Sequence, residues 1–288
     1  ELAERTAELR RSAHQRSDPM SLFWMHVDTA HLADLIADQP ILARQTLNIA
    51  SEAIANQSFQ SPRFFLWLSR IQQALYENEP QQALEILRAD WQHLDQSLIM
   101  RTAHYRWLAL ASRICCCLLA IRKRVADSDS LMRDARKCAA AMRGLKEPIF
   151  VLYGQAFSLV LDAWQSTYLQ QQHPTGPTRL RTWLRYSPQV AASKIAVPKP
   201  AAWEFTIDRL HNCGHHLLAC ALQWHYAHYF PGVADRSAYQ MSKTVLQPSV
   251  AEQTPEAILR AQGCVRPDKL LNMILPLPIA NQQDSPQS

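Results

Sequence analysis

Glycine is scarce in this chain, which has 6 glycines in 288 residues, about 2 % where about 7 % is usual. The six stand singly along the sequence. A loop that cradles phosphate needs clustered glycines, because its backbone must approach the phosphate closely. The sequence therefore excludes the glycine-rich nucleotide loops of Rossmann proteins, P-loop ATPases and protein kinases from this chain.

Paired cysteines and long apolar runs are also lacking. The seven cysteines include no Cys-x-x-Cys pair, and three of them are consecutive at 115–117. Adjacent cysteines on one helix point in different directions, which suits neither a disulfide framework nor a tetrahedral zinc site. We expect reduced thiols in a cytoplasmic protein. The most apolar runs, 107–121 and 149–164, fall short of the about 20 residues that span a membrane, so buried core helices are predicted and no membrane contact is expected.

What remains is a helix-rich composition, with many Ala, Leu, Gln and Arg residues and proline, aspartate and serine between amphipathic stretches. Long apolar helices are predicted to begin near 19, 61, 97 and 147, and shorter ones near 40, 80 and 127 follow the first three. Their spacing of about 36 to 50 residues is near that of tetratricopeptide-like repeats. The sequence predicts an all-α fold, a tetratricopeptide-like helical-repeat solenoid of antiparallel helix pairs.

The predicted organisation has four parts. Helical-repeat pairs occupy 1–168, and a proline-rich basic insertion occupies 169–200. Closing helices of the same solenoid follow in 201–275, and 276–288 is predicted to be a disordered tail.

Three stretches carry a family resemblance. The first, LAERTAELRRSAHQRSDPMSLFW (2–24), runs from an amphipathic helix into a Ser-Asp-Pro helix start. In 73–116 a turn, an acidic helix and a tryptophan precede a long helix that carries arginines. In 256–276 an Arg-Ala-Gln-Gly helix end is followed by a short turn and a last helix that starts with proline. In this order they resemble the C-terminal helical-repeat region of bacterial multidomain serine/threonine protein kinases.

In that family a kinase domain and a nucleotide-binding ATPase module precede the repeats. The resemblance implies a non-catalytic regulatory or protein-interaction region whose partners are those upstream modules, or a protein or peptide. ATP and magnesium are expected for the parent protein, and no cofactor is expected for this chain. The chain starts at Glu1, which we interpret as a piece cut from a longer protein. The insertion 169–200 departs from the family's shorter connection.

Two alternative functions are also consistent with the sequence. Similar repeats accompany an ATPase module in signal-responsive transcription regulators, so the chain could be the helical-repeat arm of one. Alternatively, the stretch 210–230 contains five histidines and two cysteines and could serve a metal-dependent hydrolase. A zinc site needs three or four ligands that converge on one point, whereas these residues point around a helix that Gly214 is predicted to break. We expect structural or solvent-facing imidazoles, with Cys213, Cys220 and Trp224 in packing.

The basic insertion is the better functional lead. Arginines and aromatic residues alternate in it: Arg179, Arg181, Trp183, Arg185 and Tyr186. This combination suits an acidic protein partner, and single-stranded nucleic acid less well. Four histidines complete the candidate partner surface: His215, His216, His225 and His228. No catalytic, cofactor-binding or metal-binding residue is predicted.

Overall fold

The structure is a computed structural model and describes residues 2–16, 18–54, 60–172, 199–230 and 254–278. In these ranges the chain forms thirteen α-helices, one 3₁₀ turn at Leu98–Arg101 and no β-strand, so the predicted all-α fold is confirmed. In chain order the helices are α1 (Leu2–Gln15), α2 (Pro19–Trp24), α3 (Thr29–Ile36), α4 (Pro40–Ala53), α5 (Ser61–Tyr76), α6 (Pro80–Gln96), α7 (Ala103–Arg122), α8 (Ser128–Arg143), α9 (Pro148–Gln172), α10 (Pro200–Asn212), α11 (His216–Tyr229), α12 (Pro255–Ala261) and α13 (Pro267–Ile274).

Proline marks where helices begin. Seven of the thirteen described helices, α2, α4, α6, α9, α10, α12 and α13, have proline as their first residue. The proline ring presets a helical φ, and the backbone N–H that it lacks would have no partner within the first turn. The prolines therefore separate successive helices without breaking any of them.

The same turn ends α3, α5 and α7. Asp38, Asn78 and Arg124 have φ values of 51°, 62° and 54°, which is the left-handed conformation that commonly closes a helix. After α5, the amide of Asn78 donates to Leu75 and that of Glu79 to Ala74, at 3.2 and 2.9 Å. Equivalent pairs of hydrogen bonds close α3 and α7. Three alternate helices, α3, α5 and α7, thus each lead into the helix that follows through one repeated geometry.

The helices pack in an alternating order. α3, α5, α7, α9 and α11 each contact the next member of this series, and we call these five helices the first layer. α4, α6, α8 and α10 each pack against the two first-layer helices that flank them in sequence. This arrangement gives two layers with the main hydrophobic core between them.

The main core is formed by helices of both layers. The largest fully buried side chains include Trp67, Trp164 and Trp203. The three consecutive cysteines at 115–117 are also buried, at 4 % exposure or less, so the prediction that the run 107–121 belongs to a buried core helix is confirmed. Burial raises the pKa of the Cys115 thiol to about 12. Within the described residues, α7 is the one helix long and apolar enough to span a membrane, and 61 % of its most apolar window is buried in the fold.

Two boundaries differ from the sequence prediction. α9 continues to Gln172, four residues into the stretch predicted as insertion, and α10 begins at Pro200. The predicted tail start at 276 is buried structure, because Leu277 is 3 % exposed. Residues 173–198, 231–253 and 279–288 lie outside the described residues.

Candidate functional site

The C-terminal segment lies against the first layer of helices. We use the name docked segment for residues 267–277, which comprise α13 and the three residues after it. α13 packs against α3, α5 and α11. Five apolar side chains of the docked segment are almost fully buried: Leu270, Leu271, Met273, Leu275 and Leu277. A short stretch thus contacts helices that are far apart in sequence.

The end of the docked segment is extended. Leu275 ends α13 with φ −153° and ψ 92°, and proline follows at 276. Proline disfavours a helical conformation in the residue before it, so the sequence itself opens the chain at this point. The carbonyl groups of residues 274–277 consequently have no helical partners and face other donors.

Four side chains of the first layer donate to these four successive carbonyls. The donors belong to α7, α9 and α11 and reach the carbonyls of Ile274, Leu275, Pro276 and Leu277 in that order: Cys115 Sγ at 3.2 Å, His225 Nε2 at 2.8 Å, Trp164 Nε1 at 3.0 Å and Arg122 Nη1 at 3.5 Å. Side-chain donors to main-chain carbonyls, combined with buried alternate side chains, are how a protein groove holds an extended peptide. Leu275 and Leu277 are the alternate side chains here.

Arg122 joins the docked segment to the turn after α5. Its guanidinium donates to the side-chain oxygens of Asn272, at 2.9 Å, and Asn78. The Asn272 oxygen also accepts from the backbone N–H of Leu277, at 3.2 Å. Arg122 therefore fixes both the extended end of the segment and the left-handed turn residue that faces it.

The other end of the docked segment meets the turn after α3. Lys269 Nζ lies 3.1 Å from Asp38 Oδ1, which also accepts from the Tyr76 hydroxyl at 2.9 Å. Just before α13, the amide of Val265 donates to the Ile36 carbonyl at 3.0 Å. Lys269 is 34 % exposed, and pairs this exposed contribute at most about 1 kcal/mol. Burial of the leucines, rather than this ion pair, holds the segment in place.

His225 is the most informative of the predicted site residues. Its side chain is 0 % exposed, and burial lowers its pKa to about 3. The lowered pKa makes the imidazole neutral near pH 7. Because a carbonyl oxygen only accepts, the ring carries its hydrogen on Nε2, toward Leu275. Its Nδ1 is buried and has no hydrogen-bond partner among the described residues. The residue predicted as part of a partner surface is thus a core donor to the docked segment.

The other three predicted histidines have separate surroundings. The Tyr153 hydroxyl and His215 Nδ1 are hydrogen-bonded, and the rings of His216 and His211 lie side by side with their Nδ1 atoms 3.2 Å apart. His228 is exposed near the end of α11. The predicted break at Gly214 is present, with φ +81°. In the part of the chain that the structure describes, no three His, Cys, Asp or Glu side chains are grouped as metal ligands.

The remaining sequence predictions concern the packing of two cysteines and a tryptophan, and the residues of the basic insertion. Cys220 packs in the core and Trp224 packs against it, as predicted, but Cys213 is exposed at the end of α10. The predicted basic and aromatic residues of the insertion, which are Arg179, Arg181, Trp183, Arg185 and Tyr186, lie outside the described residues.

The sequence prediction did not identify the docked segment or most of its donors. The available signal was the pattern Ile-Leu-Pro-Leu-Pro at 274–278, where prolines force an apolar stretch to be extended. Trp164 gave a weaker signal, because a buried indole N–H usually has a partner. Neither signal shows which helices the segment contacts.

Comparison of the chain with protein-family models, with curated proteins and with solved structures finds no match.

Proposed function

We propose that this chain is a non-catalytic protein-interaction region with a tetratricopeptide-like solenoid arrangement, and that its first layer forms a groove for an extended apolar peptide. The observation that carries the proposal is the row of four side-chain hydrogen bonds to the carbonyls of residues 274–277. In this chain the docked segment occupies the groove.

The repeat arrangement is supported by the recurrence of one turn. The left-handed residues Asp38 and Asn78 are followed two residues later by Pro40 and Pro80, which begin the second helix of each pair. The two turns are 40 positions apart, within the range of helical repeats, about 33–47 residues. Stacked pairs of this kind expose one layer of helices as an elongated binding face.

The mode of recognition favours a partner chain over a reaction. The donors to the docked segment act on main-chain carbonyls, which every peptide has, while Leu275 and Leu277 fill apolar space. Such a groove would select extended peptides with large apolar residues at alternate positions and proline between them. Displacement of the docked segment by a similar peptide is then the regulatory event.

The parent protein is proposed from the sequence resemblance. We propose that this region regulates a bacterial, cytoplasmic serine/threonine protein kinase, whose upstream modules use ATP and magnesium. Phosphorylation of a protein from ATP by the purified chain alone would contradict this assignment.

A peptide titration tests the groove. The double variant Leu275→Asp, Leu277→Asp places two charges where burial is unfavourable, so the docked segment should leave the groove. A fluorescently labelled synthetic peptide of residues 266–278 should then bind the variant saturably, as measured by anisotropy. The unaltered chain should bind it far more weakly, because its own segment competes at high effective concentration.

Two controls accompany the titration. The same peptide with Leu275 and Leu277 replaced by aspartate should bind neither protein. The variant Val265→Asp, at a residue that is 57 % exposed, should behave as the unaltered chain does. If the double variant keeps its helical circular dichroism but does not bind the unaltered peptide, the proposed groove is wrong.

A further inference from the structure

Two histidines face each other at the turn between α10 and α11. His211 lies in the last turn of α10, and His216 is the first residue of α11. Their ring centroids are 5.5 Å apart, and their Nδ1 atoms are 3.2 Å apart. Among the described residues, no other two histidine rings have nitrogen atoms within hydrogen-bonding distance of each other. The turn thus presents a pair of imidazole nitrogens, which are common ligands of transition-metal ions.

The backbone of the turn holds the two rings together. Gly214 has a φ of +81°, a conformation that glycine adopts at little cost. Its amide donates to the His211 carbonyl at 3.0 Å, and the amide of His215 donates to the Leu210 carbonyl at 2.9 Å. These hydrogen bonds close α10 and reverse the chain, so the start of α11 returns beside the last turn of α10.

The pair lies at the protein surface. His216 is exposed and His211 is half-buried, and the turn residues Asn212, Cys213 and Gly214 are also exposed. Burial, with a contribution from His216, lowers the pKa of His211, so this imidazole is neutral near pH 7, as a metal ligand must be. Solvent water can therefore supply the remaining ligands of an ion that the two rings bind.

The distance between the two Nδ1 atoms fits one shared ion. An imidazole nitrogen lies about 2.0–2.1 Å from a bound Zn²⁺ ion. Two nitrogens 3.2 Å apart would then form an angle of about 100° at the ion. This value lies between the angle of about 90° in square-planar or octahedral coordination and that of about 109° in tetrahedral coordination.

The neighbouring side chains leave this site with two protein ligands. His215 Nδ1 is hydrogen-bonded to the Tyr153 hydroxyl. Within the ranges that the structure describes, no third His, Cys, Asp or Glu side chain joins the pair as a metal ligand. The arrangement therefore differs from a zinc enzyme site, which has three protein ligands. It suits an ion that accepts two imidazoles together with water oxygens.

We propose that His211 and His216 bind one divalent late transition-metal ion, such as Ni²⁺ or Zn²⁺, through their Nδ1 atoms, with water at the remaining positions. The ion joins α10 to α11 and, by linkage, stabilises the folded state in which the two rings meet. α11 also carries His225, which donates to the docked segment. The site is separate from the proposed peptide groove and does not depend on it.

The test is a titration of the full chain, without a polyhistidine tag, at about pH 7.5, where imidazoles are mostly neutral. All proteins carry Cys213→Ser, because the exposed thiol is itself a metal ligand. Isothermal titration calorimetry should show saturable binding of one Ni²⁺ ion. Mg²⁺, which prefers oxygen ligands, should not bind at this site.

Three variants assign the ligands. His211→Gln and His216→Gln should each weaken Ni²⁺ binding by at least about 10-fold, since loss of a group that only orients a metal ligand already costs about 10–100-fold. The variant with both changes should bind little more weakly than either single variant, because one imidazole cannot chelate. His93→Gln is the matched control, since His93 is exposed on α6, and it should leave the affinity unchanged.

Each contrary outcome overturns the proposal. Absence of saturable Ni²⁺ binding, equal binding of Mg²⁺, or full affinity in either single variant would show that the pair is not the site. Additive losses in the double variant would show two separate weak sites instead of one shared ion. If His216→Gln loses its helical circular dichroism, His216→Asn replaces it. None of these results depends on whether a peptide binds the groove.

Discussion

Acidification should destabilise this fold through its two fully buried histidines. Burial lowers the pKa of His225 to about 3 and that of His31 to about 4, both from 6.5. For His31 the Asp34 carboxylate opposes the lowering and the Arg10 guanidinium adds to it. For His225 the Leu275 carbonyl opposes the lowering, and His228 adds to it.

The direction and the size of this pH effect on the free energy of unfolding follow from proton linkage. As pH falls below 6.5, the unfolded state takes up a proton at each histidine while the folded state does not. The stability from each neutral imidazole is therefore complete above that pH and is lost toward the folded-state pKa. Between about pH 7.5 and about pH 5 each histidine lowers the free energy of unfolding by about 2 kcal/mol. The two histidines together lower the free energy of unfolding by about 4 kcal/mol. The whole free energy of unfolding of a protein is commonly about 5–15 kcal/mol.

Urea unfolding at these two pH values measures the effect. The variant His225→Gln retains a side-chain N–H donor for the Leu275 carbonyl but does not titrate. Its loss of stability on acidification should be smaller than that of the unaltered chain by about 2 kcal/mol. Asp268 does not interfere, since its pKa is lowered below 3.8 by the hydrogen bond from Arg266.

A matched control is His93→Gln on α6, where the histidine is exposed. This variant should show the pH dependence of the unaltered chain. If His225→Gln loses as much stability as the unaltered chain between the two pH values, His225 is not a buried neutral donor. The docking geometry would then be wrong.

Three further predictions concern packing. Leu277→Ala should lower the free energy of unfolding in urea by about 2–5 kcal/mol, and Val265→Ala by less than about 0.5 kcal/mol; equal costs would refute the docking of Leu277. Gly154→Ala should cost about 1–3 kcal/mol, because the new Cβ would lie 2.8 Å from the Arg143 backbone nitrogen. The Cβ added by Gly144→Ala would make only ordinary contacts, so this change should leave the free energy of unfolding nearly the same. Similar melting temperatures for the two glycine variants would contradict the close packing at Gly154. Cys213 is the one exposed cysteine, so it alone should react quickly with a thiol reagent in the native protein. Rapid reaction of a second thiol would contradict the burial of the other six cysteines.

Local features of this fold could be predicted from the sequence. Prolines at 40 and 80 begin helices as predicted, because proline fits the first helical position. Gly214 breaks 210–230 as predicted, because a left-handed turn residue is needed there and glycine adopts that conformation at little cost. The triple cysteine is buried as predicted, since it lies within a long apolar run.

The candidate site could not be predicted, because its contacts are distant in sequence. Trp164 and the Pro276 carbonyl that it binds are 112 positions apart, and Cys115 and Ile274 are 159 apart. No local periodicity specifies such pairs. Arg124 also adopts a left-handed turn conformation that its residue type does not favour, so tertiary packing determines that turn.

The most direct test of the central claim is the titration of the Leu275→Asp, Leu277→Asp variant with the labelled 266–278 peptide, repeated after Trp164→Phe is added. The indole N–H donates to the Pro276 carbonyl at 3.0 Å, and one such hydrogen bond corresponds to about a 5- to 10-fold change in affinity. We predict saturable binding to the double variant and binding weakened by at least that factor when Trp164 is replaced. Equal affinity in the two folded proteins, or no binding to either, would contradict a groove that holds residues 274–277 through their carbonyls.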